Sequence, residues 1–348
     1  MTDAFGLRRG SAWREAFSVV PRHAFLPWFF VSTPDGGWRE VRESDPDHAA
    51  LVSSDSTLTT RLDENGRGIS SSTQPSLMAI MLDALGLRGD ERVLEIGTGT
   101  GYNAALLAHR LGGDRVTSVE VDPVVAETAR RNLAAAGYAP FTVVGDGEKG
   151  WPERAPYDAL IATVAVPEIP AAWIGQIRDG GVIVASLWRD LGGGPLVRLV
   201  VDGGAVRGRF LPTPGGFMPV RSAAPVGAEL AVGLRQRHLG TRRRSTQRPE
   251  VLHEPDAGLW IALLVRDTTW LGFTPDGGEE QTWLFAPDGS WAVVEGDEVT
   301  QHGPRALWDE VEAAEARWRR AGGPARDRLG LTVERGAHRF WVDEDLRP

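Results

Sequence analysis

The 348-residue chain predicts a doubly wound parallel α/β sheet with an additional C-terminal α+β domain. Three observations carry that prediction. Between residues 93 and 188, short apolar runs alternate with stretches whose apolar residues recur at helical spacing. The first run ends in a glycine cluster. Past about Arg221 the character changes, first to a basic stretch and then to a Trp-rich one.

In order along the chain, the first 70 or so residues read as irregular, with one amphipathic helix over Ser11 to Val20 that Pro21 ends, and then short strand-like pieces. Leu77, Met78, Met81, Leu82 and Leu85 predict a helix from Pro75, where the missing N–H costs nothing in the first turn. The runs at 93–97, 116–122, 141–147, 157–166 and 181–188 read as strands, with helices over Asn103 to Leu111 and Val124 to Ala135 between the first three. Near-continuous apolar strands are those buried on both faces. At 195–211 two runs flank Asp202-Gly203-Gly204, a hairpin signal, and predict an antiparallel edge that closes the sheet. Arg235, Arg237, Arg242, Arg243, Arg244 and Arg248 fall in a Gly, Ser, Thr and Pro-containing stretch that reads as a basic linker. Beyond it lie a hairpin signal in TWLFAPDGSWAVV and a helix over Ala306 to Ala321. The predicted division is an N-terminal segment 1–74, a core 75–222, a linker 223–250 and an accessory domain 251–348.

Composition narrows the function. Apolar residues are 42% and charged residues 24%, ordinary globular values, and no apolar run is long enough to span a bilayer. The opening MTDAFGLRRG lacks the apolar segment of a secretory leader, so a cytoplasmic protein is expected. Without cysteine there is no disulfide and no thiolate nucleophile, and no histidines fall at a metal-ligand spacing, so no metal is expected. A net charge of -9 argues against nucleic acid as a partner, and no membrane partner is expected.

The chemistry concentrates at Glu95-Ile96-Gly97-Thr98-Gly99-Thr100-Gly101, where a buried strand turns into a helix. Glycines there let the backbone approach a ligand closely. A dinucleotide fingerprint would place its third glycine at 102, which is Tyr, and no Gly-Lys-Ser or Gly-Lys-Thr of a P-loop follows. What remains is a loop suited to a nucleoside that carries an amino acid. Glu120, at the next strand end, can accept both ribose hydroxyls. Asp146, between Gly145 and Gly147, can accept the adenine amino group, and Glu95 stands near the cationic end.

The segments VPRHAFLP, STQP, RVLEIGTGTGYNAALLAH, GDGEKGWPERAPYDALIATVAVPEIP and GGFMPV, in this order between residues 20 and 220, resemble the protein L-isoaspartate (D-aspartate) O-methyltransferases. The resemblance covers roughly residues 10–222 and implies a Rossmann-like class I methyltransferase sheet using S-adenosyl-L-methionine and releasing S-adenosyl-L-homocysteine. It implies cofactor contacts at Glu95, Gly97, Thr98, Gly99, Gly101, Glu120, Val121, Asp146, Gly147 and Thr163, with Thr73 and Ser72 at the substrate carboxylate. The family usually has Ser where this chain has Thr73. Helix capping is the alternative role for Thr73. For Arg22 and His23, packing or solvation near Pro21 is as good a reading as substrate contact.

The added C-terminal domain makes the chain similar to actinobacterial members linked to ribosomally made peptides (graspetide, lanthipeptide or lasso peptide), in which an aspartate is methylated and cyclises to aspartimide. The expected partner is thus a peptide or protein bearing Asp or isoAsp, in particular a modified precursor peptide. General isoaspartyl repair, and an inactive cofactor- or peptide-binding protein, are the alternatives; a dehydrogenase comes third. A carboxylate is already ionised near neutral pH, so no general base is sought.

Overall fold

The computed structural model describes residues 10–192, 194–220, 237–274 and 279–343. The N-terminal part is more regular than its sequence predicts. After helix α1 (Arg14–Val19), strands β1 (Trp28–Ser32) and β2 (Trp38–Arg42), helix α2 (His48–Val52) and strands β3 (Leu58–Leu62) and β4 (Gly68–Ser72) build a four-stranded antiparallel sheet of order β2-β1-β3-β4. Its two hairpins turn at Pro-Asp-Gly-Gly and Glu-Asn-Gly, with Gly36 and Gly66 at positive φ, the turn chemistry that marks such hairpins. The strand runs are short and their burial alternates only weakly, so only the turns could have revealed them.

Helix α3 (Pro75–Leu85) leads into the main sheet. It is followed by β5 (Val93–Ile96), α4 (Tyr102–Leu111), β6 (Val116–Glu120), α5 (Pro123–Ala135), β7 (Phe141–Val144), β8 (Tyr157–Val166), α6 (Ala171–Ile174), β9 (Ile177–Leu187), β10 (Pro195–Asp202) and β11 (Ala205–Pro214). The parallel pairs β7-β6-β5-β8-β9 form as expected, and β10 and β11 continue them antiparallel. Strand order reverses between β5 and β8, so a crevice opens at the carboxyl ends of β5, β6 and β8.

Two expectations are corrected. The basic stretch is not a bare linker: although Arg235 lies outside the described residues, Thr241–Arg244 form strand β12, paired antiparallel with β16 (Glu298–His302). The acidic partners of these arginines are distant in sequence, which is why the run looks like unpaired charge when read alone. Arg242 pairs with Glu298, while Arg243 reaches Asp309 with Nε at 3.0 Å and Glu312 Oε2 at 2.8 Å.

Nor does the β10–β11 hairpin end the main sheet. After α7 (Ala257–Leu264), β13 (Thr269–Phe273), β14 (Gln281–Phe285), β15 (Trp291–Glu295), β16 and α8 (Leu307–Arg320), the chain returns as β17 (Leu329–Glu334) and β18 (Ala337–Val342). β17 pairs with β11, giving a nine-stranded sheet of order β18-β17-β11-β10-β9-β8-β5-β6-β7. Distant strands leave no local signal of such pairing.

The main sheet has a core on each face. One joins α1, α3 and α4 to it. The other takes Leu259, Trp260 and Leu263 of α7 against Ile174, Ile183 and Leu187. Ile261 and Ala262, on the opposite side of α7, enter a third core with α8 and the five-stranded sheet β12-β16-β15-β14-β13. A helix apolar all round, as Ala-Gly-Leu-Trp-Ile-Ala-Leu-Leu is, is one buried on all sides. Trp260, Trp283, Trp291 and Trp308 are core residues, as a Trp-rich module suggests. Among the described residues no helix is long and apolar enough to cross a membrane, and no His, Cys, Asp and Glu cluster could hold a metal ion.

Candidate active site

A cleft of about 320 Å³ lies at the strand-order reversal. It gathers Ser72, Thr73, Gly97, Thr98, Gly99, Glu120, Val121, Asp146, Gly147 and Thr163, ten of the twelve residues expected from sequence. Glu95 and Gly101 lie outside its lining.

The glycine turn is built by close approach. Gly97 (φ +93°) has Thr163 Oγ1 2.8 Å and Val164 Cγ1 2.9 Å from where a Cβ would stand, so the neighbouring strand leaves no room for a side chain. Gly99, at φ +56°, has Ser71 O at 3.5 Å as its nearest neighbour, and its backbone N–H donates to Glu120 Oε2 at 3.0 Å. Gly101 packs on Leu133 and the carbonyl of Ala129 and is structural. Glu120 also accepts from the Asp122 N–H, so its carboxylate is fixed at the end of β6 with lone pairs still free toward the cleft. Asp146 Oδ1 accepts from the Glu148 N–H at 3.1 Å, and Lys149 Nζ stands 3.2 Å from Oδ2. Gly147 sits against Ile96, 2.6 Å from where a Cβ would be, with its carbonyl taking the Trp173 indole N–H. The Thr163 hydroxyl is spent on the carbonyls of Ile96 and Gly97. The segment Gly216 to Val220 roofs the cleft, stitched to β8 by Ala165 N–H to Met218 O and Val220 N–H to Ala165 O.

Glu95 is wholly buried behind this wall. It accepts from Asn103 Nδ2 at 2.7 Å and Ser118 Oγ at 2.5 Å, while Ser118 Oγ lies 2.6 Å from Thr98 Oγ1. Burial pushes its carboxyl up to about 7, against the opposing pull of the Ser118 and Asn103 hydrogen bonds. It reaches the cleft only through Thr98 and Asn103, both lining residues.

On the opposite wall, the Thr73 hydroxyl has no partner among the described residues, and the capping role expected as its alternative belongs to Asp55. Asp55 Oδ1 takes the Ser76 N–H at 2.9 Å, and its other oxygen takes Gln74 Nε2. The Ser72 hydroxyl accepts from Arg22 Nε at 3.3 Å. Arg22 is neither surface nor mere packing. It is buried, and it donates to the carbonyls of Val52, Ser54, Ser56, Ser72 and Thr73, tying the loop before β3 to the segment that presents Thr73. Desolvation pushes its guanidinium down to about 10, so it stays charged at any physiological pH. Its sequence signal was weak, a lone basic residue after Pro21.

The fit to a nucleoside bearing an amino acid is good. Acid residues cap β6 and β7, bare glycine backbone faces the opening, and Asn103 Oδ1 is buried without a donor. The fold and this cleft define an S-adenosylmethionine-dependent methyltransferase of the doubly wound class.

Comparison with known proteins narrows the class. The family description "Protein-L-isoaspartate(D-aspartate) O-methyltransferase" matches residues 54–190. A protein-L-isoaspartate O-methyltransferase of Methylorubrum populi is 36% identical over 195 residues, 56% of this chain and 79% of that one. A second, from Syntrophobacter fumaroxidans, is 36% identical over 50% of this chain and 69% of its own. A third, from Methanoculleus marisnigri, is 50% identical over 116 residues, with about half its own length (52%) covered. A solved protein-L-isoaspartate O-methyltransferase is 27% identical, with a TM-score of 0.56 over 96% of this chain and 95% of that one. The chain belongs to the protein-L-isoaspartate O-methyltransferase family.

Proposed function

We propose that the chain methylates the free carboxylate of an aspartyl or isoaspartyl residue in a peptide, with isoaspartyl the preferred form. The observation that carries this reading is the Thr73 hydroxyl, unpartnered among the described residues, on a residue whose backbone carbonyl the buried Arg22 holds, on the wall facing the cofactor half of one cleft. When bound, the cofactor supplies an electrophilic methyl group on a sulfonium. The chain's own work is placement: Glu120 and Asp146 are assigned to the ribose and adenine, Gly97, Gly99 and Gly147 give backbone access, and Val121 offers exposed apolar surface for stacking. Glu95 and Gly101 are assigned supporting roles, and Ser72 is a positioning residue acting through Arg22. Thr163 contributes by bracing the glycine turn. A carboxylate needs no base to become nucleophilic. The resulting ester lies beside a peptide N–H and closes to a succinimide with loss of methanol, without further help from the chain.

The narrower reading, aspartimide installation in a ribosomally made precursor peptide, rests on Thr73 and on the part after residue 222. The solved relative aligns over 96% of this chain and 95% of its own, so that part does not by itself favour a specialised substrate. The test is mass spectrometry of reactions with S-adenosylmethionine on an isoaspartyl peptide, its aspartyl isomer and aspartate-containing cyclic peptides. A gain of one methyl, or subsequent loss of water relative to the starting peptide, is expected on the isoaspartyl peptide. Modification confined to a cyclic aspartyl peptide overturns the preference, and no methylation of any carboxylate peptide overturns the function.

A further inference from the structure

Helix α4 opens on Tyr102, whose ring lies against Phe17 and Phe25, with centroids 6.4 and 5.6 Å away. The residue is only 5% exposed, yet its hydroxyl has no hydrogen bond among the described residues. Nor is the phenol oxygen sealed in the core. The buried side-chain atoms that lack a partner include Asn103 Oδ1 and Trp260 Nε1 but not this one, and Tyr102 lines the cleft, so the oxygen meets the open space there.

A phenylalanine would fill the same apolar socket without leaving a polar group unpaired. The ring is held by the core while its hydroxyl reaches the cleft, where it can donate to a group bound there. Its character is that of a donor: desolvation pushes the phenol up to about 12, so it keeps its proton. Close by, the Arg22 guanidinium acts electrostatically on the phenol and donates to the Thr73 carbonyl. All the hydrogen-bond acceptors of Arg22 are neutral, and the Asp55 carboxylate acts on it electrostatically without bonding to it, being taken up by Ser76 and Gln74. Thr57, whose Oγ1 accepts from the Gln74 N–H, still has its own proton to give. One wall of the cleft therefore presents hydroxyl donors in front of a buried cation, a setting that favours an anion with two acceptor oxygens.

We propose that Tyr102 is a substrate-binding residue, its hydroxyl donating together with Thr73 to the carboxylate that is methylated. This rests on the carboxyl-methylation reading above. The carboxylate loses its negative charge as the methyl arrives, so a hydrogen bond to it is stronger before transfer than during it. Tyr102 therefore holds and orients the ground state, and its removal acts on KM rather than kcat.

The experiment is Tyr102→Phe in the full chain, measured by steady-state methylation of an isoaspartyl peptide, calorimetric binding of S-adenosylhomocysteine, and thermal unfolding. The expected result is a KM raised about tenfold, as for loss of one hydrogen bond to a charged group. With it should come kcat unchanged or higher, unaltered S-adenosylhomocysteine affinity, and a Tm equal to or above the parent's. An unchanged KM overturns the proposal, as does a parallel fall in kcat, cofactor affinity and Tm, which would make the residue structural. A wild-type chain inert on every carboxylate peptide overturns the carboxyl reading itself, a result distinct from wild-type activity that Tyr102→Phe leaves untouched.

Discussion

Glu95 touches a site from behind, through Asn103 and Ser118, without lining it. Its raised carboxyl keeps a proton in the folded chain that the unfolded chain gives up near the ordinary 4.5. The native state then binds more protons than the unfolded state between pH 4.5 and about 7, so stability falls as pH rises through that window and levels off above it. The predicted fall is about 3 kcal/mol. Glu95→Gln has the same shape and no such titration, so its unfolding free energy relative to wild type should grow by about that amount from pH 5 to pH 8 in urea melts without cofactor. Parallel pH curves would show that the carboxyl titrates normally. At this scale the sequence was informative where a motif spoke: Glu120, Asp146, Gly97, Gly99 and Gly147 line the cleft, although Gly101 packs behind it. It was uninformative for Arg22, Tyr102 and Asn103, whose roles come from what faces them across the fold, and it misjudged the reach of Glu95 because position on a strand does not tell which way a side chain points.

The elements of the parallel sheet were legible because each announces itself locally. The helix predicted from Pro75 to Leu85 has those bounds, and the strands at 93 and 157 begin where their apolar runs begin. Pairing between distant elements was not legible. Strand β12 reads as a solvated basic run until Asp309 and Glu312 of α8 are set beside it. Arg243 joins both carboxylates, and Glu312 additionally accepts the Thr246 N–H at 2.7 Å and the Ser245 hydroxyl at 3.0 Å. Arg243→Ala should leave Glu312 half-buried without its cation and lower stability by about 2 kcal/mol, whereas Arg244→Ala, at an exposed pair with Asp297, should change it little. Chemical denaturation of the two variants checks this, and equal effects would mean that β12 is held by its backbone alone.

For the whole molecule, the division at residues 222 and 250 is best proposed as one of sequence character. Helix α7 supplies one core with Leu259 and Trp260 and another with Ile261, and His338 of β18 accepts the Ile169 N–H at 2.9 Å just past β8. Deleting residues 223–348 therefore cannot isolate a substrate-recognition role, because it also strips a face and an edge from the methyltransferase sheet. Removing only 329–343 should expose the β11 edge and the apolar surface against Leu331 and Val333, giving aggregated protein in size-exclusion chromatography. A monodisperse, cofactor-binding product would show that the sheet closes without its last hairpin.

That hairpin also sets an order of events at the ribosome. Every residue assigned to the cleft, from Thr57 to Val220, is translated before β17 exists to cover β11. The nascent chain thus carries a nearly finished cofactor cleft and an open strand edge for the time needed to translate more than one hundred further residues, between Pro214 and Leu329. At usual elongation rates this interval lasts several seconds, on the order of ten. During this window the uncovered edge of β11 is open to pairing with other chains.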